Sequence, residues 1–232
     1  MRLAIIPARG GSKRIPRKNI KSFCGKPMIA WSIEAAKNSG CFDKIVVSTD
    51  DEEIAEIAKE FGATLPFIRP NELSGDHTGT IPVIQHATRW FVDQGVSVDE
   101  VCCLYATAPF VKPTDLQKGL SVLRDSGADY AFSVTSYAFP IQRALRLSNE
   151  RVEMFNPEHF QTRSQDLEES WHDAGQFYWG KARAWLDGEM LFAPHSAAVT
   201  LPRHRVQDID TLEDWHRAEW LFKAMCAEQD SE

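Results

Sequence analysis

"IIPARGGSKRIPRKNI", from Ile5 to Ile20, decides how the rest of the chain is read. It begins in the short apolar run "RLAII", which has the length and composition of a buried strand. It then turns through Gly10 and Gly11 and carries Arg9, Lys13, Arg14, Arg17 and Lys18, with Lys21 just beyond. A loop that follows a first strand lies where open parallel sheets bind ligands, outside the C-terminal ends of the strands. The glycines let the backbone turn tightly. The amides of Gly10, Gly11, Ser12 and Lys13 are expected to form an anion-binding nest, and Arg9 and Lys13 add side-chain donors for phosphate oxygens. The composition also suits a solvated basic loop, but the position after the strand favours phosphate. Neither the Walker pattern nor GxGxxG is present.

The remainder of the chain makes this cluster stand out. It has 232 residues and a net charge of −7, with 43% hydrophobic and 25% charged residues. That is an ordinary globular composition, and its acidic balance argues against nucleic acid or an anionic membrane as partner. The cations of the opening loop are therefore a local device, aimed at a small anion. The five cysteines form no CxxC pair and have no histidines at metal spacing. They read as buried apolar residues of a cytoplasmic protein. The apolar run before Pro7 is too short for a signal peptide or a membrane span.

Strand and helix patterns alternate from there. "KIVVSTD", "EVCCLYA" and "ADYAFSV" read as strands. "PMIAWSIEAAKNSG" reads as a helix stopped by Gly40, and "DDEEIAEIAKEFG" as a helix capped by Asp50 with Glu53. "TDLQKGLSVLRDSG" reads as a helix opened by Thr114 with Gln117. This alternation predicts an α/β fold, a mostly parallel sheet flanked by helices. After Val134 the rhythm breaks. Residues 135–175 are expected to form an insertion, and residues 1–134 with 176–232 a single core. "GQFYWG", "KARAWL" and "AAVTLP" return to that core. "TLEDWHRAEWLFKAM" closes it as a helix that buries Trp215, Ala218, Phe222 and Met225.

A second chemical signal lies near the end, in "VQDIDTLEDW". In an extended segment Asp208 and Asp210 point to one side. Two carboxylates on one side suit Mg²⁺ bridging phosphates. Asp210 alone also reads as the cap of the helix beginning near Leu212, with Glu213 completing the box; capping leaves Asp208 unexplained. A basic loop combined with paired carboxylates is the equipment of nucleotidyl transfer.

Taken together, "IPARGGSKRIPRKNI", "GKPMIAWSIEAA", "VVSTDDEEIA" and "DIDTLED" resemble the CMP-sialic acid synthetase family of sugar-acid cytidylyltransferases, over nearly the whole chain. The resemblance implies a Rossmann-like core, CTP as donor, Mg²⁺ as cofactor, a nine-carbon sugar acid as acceptor, and a homodimer built by the mid-chain insertion. It assigns Arg9, Ser12, Lys13 and Lys18 to the triphosphate. It places Asn19 and Arg69 near the cytidine, Thr78 and Thr80 beside base and ribose, and Asp208 and Asp210 on the metal. Arg9 and Lys13 would stabilise charge on the phosphates, and with the two aspartates they are the expected catalytic set.

On the sugar side, "YATAPF", "PIQRAL" and "TRSQDLEESWHDAGQFYWG" are similar to the pseudaminic acid branch of that family. The sialic acid branch has Gln-Pro-Thr-Ser-Pro where this chain has Tyr105 to Pro109, and Arg-Pro-Asn-Gly where it has His172 to Gly175. Tyr105, Thr107, Gln142, Arg143, Arg163, Gln165, His172, Asp173 and Gln176 are therefore the candidate sugar contacts. Arg143 and Arg163 read equally well as surface charges, and a bidentate guanidinium suits a carboxylate. Trp171, Phe177, Tyr178 and Trp179 read as core or interface aromatics. Sialic, legionaminic and 3-deoxy-octulosonic acids are the alternative acceptors, and a non-catalytic nucleotide-binding subunit is the alternative class.

Overall fold

The computed structural model describes residues 1–229. Along the chain it comprises β1 (Arg2–Pro7), the short hairpin β2 (Ser22–Phe23) and β3 (Lys26–Pro27), α1 (Met28–Ser39), β4 (Lys44–Ser48), α2 (Glu52–Glu60), α3 (Thr80–Asp93), β5 (Glu100–Leu104) and α4 (Pro113–Ser126). There follow β6 (Tyr130–Ser136), β7 (Leu145–Ser148), β8 (Arg151–Met154), β9 (Trp171–Lys181), α5 (Ala182–Asp187), β10 (Ser196–Thr200) and α6 (Leu212–Gln229). The central sheet has the order β10-β6-β9-β5-β1-β4. Its pairings are parallel except those of β9, which runs antiparallel to both β5 and β6.

Because side chains alternate along a strand, the sheet builds two cores. Ala4 and Ile6 of β1 and Cys102 and Leu104 of β5 face α1, α2 and α4, while Leu3, Ile5, Val101 and Cys103 face α3 and α5. Near-continuous apolar strands are what a sheet covered on both faces requires. A smaller third core joins Ile15 of the opening loop, Phe23, Met28, Ile209, Trp215 and Ala218. It docks α6 beneath that loop and so brings the terminal aspartates to the C-terminal edge of β1, across nearly the whole sequence.

Several local expectations change. A helix the sequence reading did not assign, α3, begins at Thr80. Asp51, not Asp50, caps α2, accepting from the Ile54 N–H at 3.0 Å. At the start of α4 the Asp115 carboxylate accepts from the Lys112 N–H, and Thr114 and Gln117 do not form the expected box. At α6 the reciprocal pair is Thr211 with Asp214: the Thr211 N–H donates to Asp214 at 2.8 Å and the Asp214 N–H to Thr211 at 3.2 Å. Asp210 and Glu213 do not form that box. The sheet also reaches into the expected insertion, because β6 includes Thr135 and Ser136, paired with His172 and Trp171 of β9. The excursion leaves the sheet at Tyr137 and returns at Ser170, where the Tyr137 N–H donates to the Ser170 carbonyl.

Candidate active site

The opening loop turns where β1 ends. Gly10 is required there: a Cβ on it would come within 2.5 Å of the Asp51 carboxylate. The Gly10 N–H donates to Asp50 at 3.0 Å and the Ser12 N–H to the Gly10 carbonyl. The expected four-amide nest is therefore smaller, since two of its donors are engaged within the chain. Asn19, buried, donates to the Arg9 carbonyl at 3.0 Å and accepts the Ile29 N–H on its own carbonyl, which ties the loop to the start of α1.

Four of the six cations face one cavity of about 380 Å³, and two do not. Arg9, Lys13, Arg14 and Lys18 line it, together with Ser12, Asn19, Arg69, Thr78, Thr80, Tyr105, Thr107 and Asp210. Arg17 instead pairs with Asp51 and Glu53 at the start of α2. The Lys21 ammonium lies 5.0 Å from the ring centre of Trp215. The sequence reading gave all six to an anion; the structure gives these two to the fold. All the residues assigned to the triphosphate and nucleotide thus line the cavity or, for Asn19, both line it and support its wall. Asp208 is absent from the lining.

Cations outnumber carboxylates in the cavity, and each carboxylate is shared by two of them. Arg9 donates to Asp76 at 2.7 Å, and Lys13 donates to the same carboxylate. These two bonds, Lys13 first, hold the Asp76 carboxyl below the usual range. Asp210 pairs with Arg14 at 2.8 Å and Lys18 at 3.3 Å, and Lys18 also donates to the Ile209 carbonyl at 2.5 Å. Arg69 is buried and donates to the carbonyl and hydroxyl of Ser48. Burial lowers its guanidinium to about 10. Sequence reasoning missed Asp76, and it counted Arg14 among the loop cations without giving it a place in the site. Arg14 lay in plain view within the loop motif; for Asp76 no local pattern signals a partner more than sixty residues away.

Asp208 is exposed as a residue, yet its carboxyl is pushed above the usual range, first by desolvation among its neighbours and then by the charge of Asp210, with Lys18 opposing. Among the described residues it has no ion-pair partner. Mutual repulsion between carboxylates is what a cation relieves. Among the described residues no group of three or more His, Cys, Asp or Glu is placed to hold a metal ion. The donor set is therefore two carboxylates, hard-oxygen groups of the kind that suit Mg²⁺.

The sugar-side candidates divide. Tyr105 and Thr107 share the cavity wall with Thr80, and the Tyr105 and Thr80 hydroxyls are 3.0 Å apart. Asp173 accepts from the Tyr178 hydroxyl at 2.5 Å and the Gly175 N–H at 2.9 Å. His172 bonds the Asp173 carbonyl through Nδ1 and packs on Tyr137. Gln176 is buried and donates to the Arg205 carbonyl. The arm residues lie elsewhere: Gln142 donates to the Glu168 carbonyl, Arg163 pairs with Asp166, and Gln165 lines a separate cavity of about 260 Å³ with Phe139 and Glu168. None of Gln142, Arg143, Arg163 and Gln165 lines the main cavity of the same chain. Phe177, Tyr178 and Trp179 are buried as expected, whereas Trp171 is exposed.

Comparison with known proteins identifies the family. The family model described as cytidylyltransferase matches residues 3–181. The chain is 49% identical over 222 residues to the pseudaminic acid cytidylyltransferase of Campylobacter jejuni, covering 95% of this chain and 96% of the relative. It is 32% identical over 231 residues to the CMP-N,N′-diacetyllegionaminic acid synthase of Legionella pneumophila, again covering 95% and 96%. Among solved structures, CMP:2-keto-3-deoxy-manno-octonic acid synthetase complexed with CTP superposes with a TM-score of 0.69 at 18% identity, covering 97% of this chain and 99% of the other. At that identity the last match concerns the fold alone.

Proposed function

This chain belongs to the cytidylyltransferase family, and we propose that it transfers the cytidylyl group of CTP to pseudaminic acid, giving the CMP-sugar and pyrophosphate. The observation that carries this reading is the meeting of the opening cations with Asp210 in one cavity, beneath which the third core holds loop and terminus together. The anomeric hydroxyl of the sugar acid attacks the α-phosphorus. A new P–O bond forms, the bond to the bridging oxygen breaks, pyrophosphate leaves, and the hydroxyl's proton is released.

Arg9, Lys13, Arg14 and Lys18 offset the charge of the triphosphate and of the departing pyrophosphate. Arg9 and Lys13 exchange Asp76 for phosphate oxygens. Ser12 and the N–H groups of Gly11 and Lys13 donate to the same oxygens. Asp208 and Asp210 would hold Mg²⁺, and the ion would supply charge neutralisation on the phosphates and ease ionisation of the attacking hydroxyl. Arg69 and Asn19, both buried, keep the nucleotide wall rigid, and Thr78 and Thr80 contact base or ribose.

Pseudaminic acid is favoured over the related acids by the high identity to a relative of that specificity and by Tyr105 in the cavity wall, with His172 and Asp173, outside the lining, also departing from the sialic pattern. The arm supports a homodimer. Phe139 is 82% exposed and Leu147 77%, with Leu145, Val152, Phe155 and Phe160 also open to solvent. A single chain leaves this surface wet, and two-fold pairing is the commonest way to cover such a patch. Pairing would also bring Gln142, Arg143, Arg163 and Gln165 towards a partner's sugar site. Five free cysteines fit the reducing cytoplasm. Among the described residues no helix is long and apolar enough to cross a membrane.

The test is CTP-dependent pyrophosphate release with Mg²⁺ and, in turn, pseudaminic, N-acetylneuraminic, legionaminic and 3-deoxy-octulosonic acids. Pseudaminic acid is expected to turn over fastest. Equal turnover of another acid would move the substrate assignment, and no release with any of them would remove the enzymatic reading.

A further inference from the structure

Two carboxylates pair with the loop cations of the main cavity, and they are mounted differently. Asp210 sits between Ile209, which is buried in the third core, and Thr211, which caps α6. Its own N–H donates to Asp214 at 3.2 Å. The backbone that carries it is fixed on both sides. Asp76 comes from the exposed stretch that leads into α3. The bonds nearest to it are long: the Thr78 N–H donates to the Gly75 carbonyl at 3.3 Å, and the Thr78 hydroxyl to the Glu72 carbonyl at 3.4 Å. Among the described residues the N–H groups of Gly75, Asp76 and His77 have no backbone partner. A stretch with so few backbone bonds opens at little cost.

What ties Asp76 to the rest of the molecule is its carboxylate. One oxygen accepts from Arg9 at 2.7 Å and the other from Lys13. Arg9 and Lys13 line the cavity, and so do Gly75 and Thr78 on either side of Asp76. These are the two cations that the proposed reaction gives to the phosphates. A carboxylate offers a guanidinium the same kind of paired acceptor oxygens as a phosphate does. Lys13 first, then Arg9, hold the Asp76 carboxyl below the usual range, so it is ionised at neutral pH. An ionised carboxylate and a polyphosphate repel each other and cannot share one pair of cations at contact distance.

We propose that Asp76 is a built-in competitor for the phosphate place: it pairs with Arg9 and Lys13, gives them up to CTP, and takes them back as pyrophosphate leaves. Every polyphosphate must displace it. The apparent affinity is then lower than the intrinsic one by the fraction of molecules in which the two cations are free. The same factor acts on CTP and on pyrophosphate, because both call on both cations. Asp76 thus weakens CTP binding somewhat and in return prevents the product from staying on the enzyme. It is a regulatory residue of the site and touches no reacting atom. The proposal rests on the cytidylyltransferase reading and adds to it what sets the affinity for CTP and the release of pyrophosphate.

The experiment titrates CTP with Mg²⁺, and separately pyrophosphate, into wild type, Asp76→Asn, Glu72→Gln, Lys13→Ala and the double variant Asp76→Asn/Lys13→Ala by calorimetry, without sugar acid. Asp76→Asn keeps the shape and removes the charge. It should bind both ligands about three- to tenfold more tightly, the worth of two partly exposed ion pairs. Product inhibition by pyrophosphate should strengthen by the same factor. Glu72→Gln removes an equal charge from the same stretch and should change either affinity less than about twofold, since salt screens a charge that is not in contact. On the Lys13→Ala background Asp76→Asn should gain less than on wild type, because one of its two bonds is already gone. Wild type that binds pyrophosphate but not CTP would sink the cytidylyltransferase reading, and the pyrophosphate titrations would still decide the competition. Unchanged or weaker binding by Asp76→Asn, an equal gain in Glu72→Gln, or an undiminished gain on top of Lys13→Ala would overturn the proposal.

Discussion

The two sides of the site are built differently. The proposed nucleotide side is made by the ends of secondary-structure elements within one chain: the loop after β1, the start of α3, the residues just after β5 and the segment before α6 all reach one cavity. In the arm between Tyr137 and Ser170, Gln142 donates to Glu168 and Arg163 pairs with Asp166, and large apolar side chains such as Phe139 and Leu147 are uncovered. The contrast follows from the ligands. A triphosphate is recognised by charge and by backbone amides, which rigid element ends supply at fixed distances. A sugar acid must be enclosed, and a two-stranded hairpin is marginal by itself. It needs another surface to hold it.

The largest expected effect lies on the nucleotide side. Asp208→Ala or Asp210→Ala should lower kcat at least about a hundredfold, the scale of losing a transition-state stabiliser. Saturating Mg²⁺ kinetics check this, and near-wild-type turnover in Asp208→Ala would take that residue out of the reaction. Because Thr211 and Asp214 cap α6, Asp210→Ala should melt close to wild type. Thr211→Ala should instead cost about 1 kcal/mol of stability.

Next comes the loop. Arg9→Ala and Lys13→Ala should each raise the KM for CTP about tenfold or more, the range expected for charged hydrogen bonds. Lys13→Arg should recover only part of this, since a planar fork does not replace a point charge. Steady-state kinetics with wild-type melting curves separate this from a folding defect.

The arm offers the opposite signature. Leu147→Glu should shift a homodimer to monomer by light scattering at micromolar concentration and raise the KM for the sugar acid, while CTP binding stays as in wild type. A fully active monomer would remove the shared-site reading and leave the nucleotide side as described.

The smallest effect sharpens the division within the loop itself. Arg17 holds the Asp51 carboxyl below its usual range, mainly by hydrogen bonding, against opposing desolvation. The folded carboxyl titrates below its unfolded value, so this contribution is complete above about pH 4 and fades as pH falls through the folded value. Arg17→Ala should therefore cost at most about 1 kcal/mol at neutral pH, because the pair is partly exposed. The difference should vanish in acid, and the KM for CTP should not move. Chemical denaturation at several pH values measures it.

What could be read in advance follows the same line. The alternation of strands and helices, the buried face of α6 and the loop cations were legible because each is a local pattern. The caps were not, since side-chain reach depends on backbone angles that composition does not specify: Asp51 serves where Asp50 was expected, and Thr211 with Asp214 where Asp210 and Glu213 were. α3 was hidden by Pro82 in its first turn and by β-branched and aromatic residues of weak helix propensity. Packing on Phe91, Ala87 and Ile84 overrides that weakness. The pairing of Asp76 and the hydrogen bond that joins Asp173 to Tyr178 are tertiary facts without a sequence signal. The sheet is mostly parallel, as the strand patterns predicted, but nothing local in the sequence singles out β9 as the antiparallel strand.

The central claim is tested most directly by offering the enzyme CTP, Mg²⁺ and equal pseudaminic and N-acetylneuraminic acids in one vessel and identifying products by ³¹P NMR and mass spectrometry. The account predicts pyrophosphate together with CMP-pseudaminic acid in at least about tenfold excess over CMP-N-acetylneuraminic acid, a discrimination of about 1.4 kcal/mol. Equal amounts of the two products would contradict the substrate assignment, and intact CTP would contradict the chemistry itself.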